Sequence, residues 1–146
     1  MRTGKRGAFK GVGFGLIVVF AFAIFLKLDF RSVIVDGHSM LPSLTPGERV
    51  IVSDAYWLVG PIRDGDIVVV RDPGSTGFII KRVFRMAGEK VPVDKWPDFH
   101  HLEDGEYSVP EDNIYVLGDN LQQSEDSRRF GPVLRKNIIG KVVIRP

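Results

Sequence analysis

From Gly11 to Leu26 the chain runs sixteen residues without a charged or polar side chain, and beyond Lys27 the apolar character extends to Leu28. A stretch of that kind has few fates. A helix that crosses a bilayer needs about 20 residues, with a lower limit near 17, and Lys27 can carry its ammonium to the interface on an apolar stem. Arg2, Lys5, Arg6 and Lys10 all precede the run, and no acid occurs before Asp29. That asymmetry places the N-terminus in the cytoplasm and everything after Arg31 on the far side of the membrane. A cleavable leader would share the basic start and apolar middle, and Ala21-Phe22-Ala23 has the small-x-small form of a cleavage site. Ile24, Phe25 and Leu26 continue the apolar run past it, however, whereas a cleavage site follows the apolar region. The expectation is an uncleaved anchor: residues 1–10 a basic cytoplasmic N-terminus, 11–28 the transmembrane helix, and 31–146 an extracytoplasmic domain.

The chain has 146 residues, enough for one domain with a modest core besides that appendage. Its net charge of +2 comes from the four N-terminal cations. Without them the remainder is slightly acidic, which argues against a nucleic-acid surface. The absence of cysteine removes disulfides and thiolate metal sites from consideration.

After residue 30 the pattern is strand-like. Short β-branched runs occur at Val33–Val35, Arg49–Val52, Asp66–Val70, Gly77–Phe84, Ile114–Leu117 and Ile138–Ile144, each bounded by Gly, Pro, Asp or Asn. No amphipathic helix of useful length follows the anchor, apart from short turns near Ser53–Leu58 and Leu134–Asn137. The expected fold class is all-β, with curled or barrel-like antiparallel sheets. Pro92–Pro110 is polar, carries Trp96, His100 and His101, and reads as a loop or hairpin excursion rather than a second domain. Trp57 and Tyr56 suit either a bilayer interface or the core.

Ser39 stands in the phrase Gly37-His38-Ser39-Met40-Leu41-Pro42, a few residues past the anchor. A serine needs help to become a nucleophile at neutral pH. On extended chain the side chain of the adjacent His38 would face the opposite way. His100 and His101 lie in the excursion with no evident orienting carboxylate. Lysine is the other route. Lys81 follows Phe78-Ile79-Ile80 inside an apolar strand; it is either an outward alternation residue or an inward, desolvated amine. Turned inward, it would lose its charge readily: a three-unit fall from about 10.4 corresponds to roughly 4 kcal/mol of differential desolvation. The segment Gly118-Asp119-Asn120, Ser124, Asp126-Ser127-Arg128 and Gly131 is dense in turn-forming and hydrogen-bonding residues, as in a fixed loop.

Taken in order, Gly37-x-Ser39-Met40-x-Pro42-Ser43-Leu44, Gly65-Asp66-Ile67-Val68-Val69, Lys81-Arg82-Val83 and Gly118-Asp119-Asn120…Ser124-x-Asp126-Ser127-Arg128…Gly131 form a distinctive set behind an N-terminal anchor. The chain resembles the bacterial type I signal peptidases over nearly its whole length. The resemblance implies a serine–lysine dyad endopeptidase of the cell membrane that removes signal peptides from exported preproteins, with Ser39 as nucleophile and Lys81 as general base. It further implies that Ser124 orients the lysine amine and that Asp126 and Arg128 form a structural ion pair. Val33, Val35, Met40, Leu44, Ile79 and Ile80 would line shallow substrate pockets. No cofactor and no metal are implied. The partners would be preproteins with small residues one and three positions before the cleavage site, the lipid bilayer and the neighbouring export machinery, with no nucleic acid.

The chain departs from the family at informative places. Gly37 occupies a position where some members carry a serine whose hydroxyl donates to the oxyanion, which leaves the second donor to be found. Met86-Ala87-Gly88-Glu89, Leu121 and Phe130 differ from the usual choices, and the short interval from Lys81 to Gly118 leaves little room for an accessory β-domain. Two rival readings stand beside the general one: a dedicated peptidase for pilins or conjugative-transfer proteins, and an inactive membrane-anchored binding domain.

Overall fold

The computed structural model describes residues 5–101 and 105–144, with backbone alone at 5–12, 25–28 and 144. Helix α1, Lys5–Asp29, passes directly into strand β1, Phe30–Ile34. The side chains from Phe14 to Ile24 stand out into the surroundings, uncovered by the rest of the chain. Among the described residues no helix is long and apolar enough to cross a membrane. The expected span 11–28 falls partly on side chains outside the described set, as do Lys5, Arg6 and Lys10; Arg2 lies outside it altogether.

The remaining elements are β2 (Arg49–Ser53), α2 (Tyr56–Val59), β3 (Ile67–Arg71), β4 (Phe78–Met86), β5 (Asn113–Leu117), α3 (Ser127–Phe130), β6 (Val133–Leu134) and β7 (Ile138–Ile144). Together the strands make one seven-stranded sheet in the order β1-β2-β7-β3-β4-β5-β6, and each neighbouring pair is antiparallel. Each β-branched run read from the sequence overlaps a strand. The two-residue β6 and the single turn α3 are too short to leave a periodic signal.

Bulges bend this sheet. The register shifts between Ile51 and Val52, between Val69 and Val70, and between Val83 and Arg85, and each extra residue increases local twist. Gly140 of β7 sits where the curl brings strands together. A Cβ there would lie 2.7 Å from Val52 Cγ1 and 2.8 Å from the Ser53 carbonyl oxygen, so only glycine allows that approach. The curl creates separate apolar clusters. One gathers Val35, Met40, Leu44, Val50, Val52 and Val69 beneath the Ser39 segment; another gathers Val68, Val70, Val83, Ile114 and Val116. β3 contributes to both because Ile67 to Val70 are all buried, which explains an unbroken Ile-Val-Val-Val run in place of alternation.

The two flanks of the polar excursion pair with each other. Val91 N–H donates to Tyr107, Val109 N–H donates to Glu89, and Lys90 bridges Ser108. Its inner residues Val91, Tyr107 and Val109 pack with Tyr115 and Leu117 of β5 as a third apolar cluster. His100 belongs to this packing: its ring lies 4.7 Å from Trp96 and 4.9 Å from Tyr107. The two aromatics of α2 part company. Tyr56 packs on the core, while Trp57 is 74% exposed.

Candidate active site

The β1 edge of the sheet and the N-terminal part of β4 converge on one groove. Among the described residues β1 is an edge strand that pairs only with β2. Residues 78–81 of β4 pair with β3 on one side, and β5 begins its pairing only at Arg82. Two open backbone edges therefore flank a cavity of about 120 Å³ lined by Val33, Ile34, Val35, Gly37, Ser39, Met40, Phe78, Ile79, Ile80 and Lys81 among others. Of the expected pocket residues, Val33, Val35, Met40, Ile79 and Ile80 line it. Leu44 is fully buried in the core beside Met40 and stands behind the groove wall.

The backbone turns sharply to present Ser39. Gly37 has φ of +84°, a left-handed conformation that costs glycine little. His38 through Leu41 then form a turn closed by Leu41 N–H donating to the His38 carbonyl at 3.2 Å. The segment is therefore a turn and not extended chain. The ring of His38 is exposed, and among the described residues its main-chain carbonyl is the group that takes part in the bonds formed here.

Lys81 faces inward. Its residue is 4% exposed, and Nζ lies 2.9 Å from Ser39 Oγ in a hydrogen bond. β-pairing opposite Val68 fixes the strand position from which the side chain reaches across. Burial pushes the amine below its ordinary pKa of 10.5, while the charges of Asp126, Asp72 and Glu125 pull it partly back. The cause is loss of hydration of the ammonium, which favours the neutral base.

Behind the pair, Asp126 is completely buried and caps α3. Arg128 holds it in a fork, Nε to Oδ1 at 2.8 Å and a terminal nitrogen to Oδ2 at 2.9 Å, and Gly118 N–H donates to Oδ2 at 3.0 Å. Burial alone would raise this carboxyl, but the Arg128 and Gly118 bonds outweigh it and hold the pKa below 3.8. Ser124 sits against Gly118. Its Oγ is buried, within electrostatic reach of Asp126, and meets no partner at hydrogen-bonding geometry among the described residues. The bond from this hydroxyl to the Lys81 amine that the resemblance implies is not among those formed here.

Gly118 is required for space. A Cβ on it would collide with Ser124 Oγ and lie 2.6 Å from the Ser39 carbonyl oxygen. The 118–120 loop thus touches the Ser39 backbone. Arg82, the neighbour of Lys81, adds a second fork that residue-level reading left without a role. It donates to both oxygens of Asp119 at 2.7 and 2.5 Å, to the Gly65 carbonyl at 2.8 Å and to Ser43 Oγ at 3.2 Å. One guanidinium thereby ties β4, the loop before β3, the segment after Ser39 and the 118–120 loop. The sequence signal for it was the Lys-Arg adjacency: on a strand, neighbours face opposite ways, so two adjacent cations serve two different surroundings.

The family model described as signal peptidase, peptidase S26, matches residues 9–97 and 94–145. The chain is 32% identical to signal peptidase I of Leptolyngbya laminosa, over 84% of this chain and 74% of that one. It is 33% identical to signal peptidase I of Bacillus caldolyticus, over 80% of this chain and 79% of that one. It is also 32% identical to the mitochondrial ATP-independent inner membrane protease subunit 1a of Arabidopsis thaliana, over 96% of this chain and 86% of that one.

Proposed function

From the premise that the chain belongs to the signal peptidase family, peptidase S26, and is a serine peptidase of the signal peptidase I type, we propose that it cleaves signal peptides from preproteins by a Ser39–Lys81 dyad. The observation that carries the mechanism is the 2.9 Å contact between a buried, pKa-depressed amine and a hydroxyl at a groove. In the neutral amine the nitrogen lone pair accepts the Ser39 proton as Oγ attacks the scissile carbonyl. The oxyanion is held by the Ser39 N–H. Lys81 then returns the proton to the leaving amine as the C–N bond breaks, leaving an ester on Ser39. A water molecule, deprotonated by the same amine, attacks that ester and releases the new acid, and the Ser39 hydroxyl is restored.

Substrate enters as an added strand between β1 and residues 78–81 of β4, where both edges are unpaired among the described residues. Side chains of a strand alternate, so residues one and three positions before the scissile bond share one face of the groove. A cavity of about 120 Å³ walled by Val33, Val35 and Ile80 admits alanine or serine and rejects large rings. The purified protein should cleave a preprotein carrying alanine at both positions and leave its tryptophan variants intact. Equal cleavage of the two, or cleavage of one dedicated substrate alone from a panel of exported preproteins, would replace the general reading.

The same proposal makes α1 a single-pass anchor with the N-terminus in the cytoplasm. Its support is the uncharged run from Gly11 to Leu26, the four preceding cations and a helix that at 1.5 Å per residue is about 37 Å long. Alkaline carbonate should leave the protein in the membrane pellet; release into the supernatant would count against an anchor. A catalytic domain tethered where the preprotein's own helix ends gains effective concentration and orientation.

A further inference from the structure

The nucleophile's backbone is clamped from one side by a single residue. Asn120 N–H donates to the Ser39 carbonyl at 3.0 Å, and Asn120 Nδ2 donates to the His38 carbonyl at 3.2 Å. These are the carbonyls of the two successive peptide units that flank Ser39. Leu41 N–H occupies the other lone pair of His38, so this oxygen is doubly held. In a trans peptide the N–H points opposite to the C=O. Two consecutive carbonyls that both face Asn120 therefore send the N–H groups of Ser39 and Met40 away from it, on a common side. Among the described residues neither N–H has a hydrogen-bond partner, although Met40 is only 1% exposed. Buried backbone donors are normally paired. Both residues line the groove.

We infer that Ser39 N–H and Met40 N–H together form the oxyanion site, and that Asn120 is the positioning residue that aims them. This rests on the proposed Ser39 mechanism and supplies the second donor that Gly37, lacking a hydroxyl, does not. Asn120 acts in two ways. It fixes the rotation of both peptide planes before substrate arrives, so no reorganisation accompanies the reaction. Its donation into the His38 carbonyl also polarises that amide and strengthens the N–H at the opposite end of the same unit. Asn120 acts through the His38 and Ser39 carbonyls that it holds. The other contact of its Nδ2, to Gln123 Oε1 at 3.3 Å, orients the amide plane from the solvent side.

The test uses the full-length protein in detergent with Asn120→Ala and Asn120→Asp. Both variants retain the backbone N–H, and both lack the side-chain donor; the aspartate keeps the shape. Rates are read on the alkaline plateau of the pH profile, where an added carboxylate near Lys81 does not limit the neutral amine. A peptide with alanine one and three positions before the bond serves as substrate. Its C-terminal aldehyde, which Ser39 Oγ converts to a hemiacetal, and the matching alcohol serve as binding probes. In both variants kcat should fall at least about tenfold, short of the 10²–10³ that loss of a direct donor costs. KM and alcohol affinity should stay within about twofold, and aldehyde affinity should fall in step with kcat. A wild-type kcat in Asn120→Asp overturns the inference, as does a parallel loss of aldehyde and alcohol binding, which would mean collapse of the groove. If the wild-type protein itself cleaves no such peptide, the Ser39 mechanism fails and takes this inference with it.

Discussion

Ser39→Ala and Lys81→Ala should each abolish preprotein cleavage, with kcat down by more than about 10⁴-fold, and the double variant should be no worse than either alone. The two side chains act as a unit, because a hydroxyl without a base is a poor nucleophile and a base without the hydroxyl has nothing to activate. Cleavage is read with the purified full-length protein, and retained thermal unfolding confirms that the fold survives. Activity above a few per cent in either variant would overturn the dyad. The pH profile carries the same mechanism. Catalysis needs the neutral amine, so activity should fall as pH drops through the Lys81 pKa, and that limb should lie below 10.5 because burial depresses it. Stability follows with a defined sign. Between the depressed folded-state pKa and 10.5 the unfolded chain binds more protons, so stability rises with pH across that window. It falls again as pH drops toward the folded-state value, below which the penalty is complete. Lys81→Met fills the same space without a charge and should flatten that slope while eliminating turnover. An unchanged slope of unfolding midpoint against pH would show that the amine is not desolvated in the way its burial requires.

The largest expected effect on stability belongs to Asp126. Its carboxylate is fully buried and takes bonds from Arg128, from Gly118 N–H and from the Arg128 backbone. Asp126→Ala leaves a guanidinium and two amides without their acceptor, and breaking a buried pair from one side costs about 3–5 kcal/mol. Denaturant unfolding in detergent measures it, and a loss below about 1 kcal/mol, the scale of an exposed pair, would contradict the burial. Asp126 is held below its ordinary pKa of 3.8, so its contribution is complete above that value and is lost as pH falls through the folded-state pKa. The isosteric Asp126→Asn has a further consequence. The Asp126 charge supports the protonated Lys81, so its removal should move the acid limb of residual activity to lower pH. A limb that stays in place would separate the two sites electrostatically.

The strands were legible because β-branched runs bounded by turn residues leave a short-range signature, and those at Arg49–Ser53, Ile67–Arg71 and Ile138–Ile144 lie where the pattern puts them. β6 and α3 were not, since two to four residues carry no period. Ser39 and Lys81 stood out by chemistry in an unexpected setting: a hydroxyl beyond an apolar run, and a cation within an apolar strand. Leu44 shows the opposite limit. Its apolar character is compatible with groove wall and core alike, and only packing places it beside Met40 in the interior. Arg82, Asp119 and Asn120 were visible as letters of a motif, but their partners lie far away in the chain, Arg82 reaching Asp119 and Asn120 reaching His38.

By itself the sequence determined the class of chain: an apolar N-terminal segment followed by an antiparallel β-domain, with a serine and a lysine able to do acyl-transfer chemistry. Local propensity and hydrophobic patterning act between near neighbours, so they survive in the linear order of residues. Tertiary structure alone decided that Lys81 points inward, that its amine meets Ser39, and that the 118–120 loop holds the carbonyls of His38 and Ser39. Those outcomes depend on the register of β3 with β4 and on bulges that curl the sheet. A strand turned by one residue would send the same lysine into water with its charge intact.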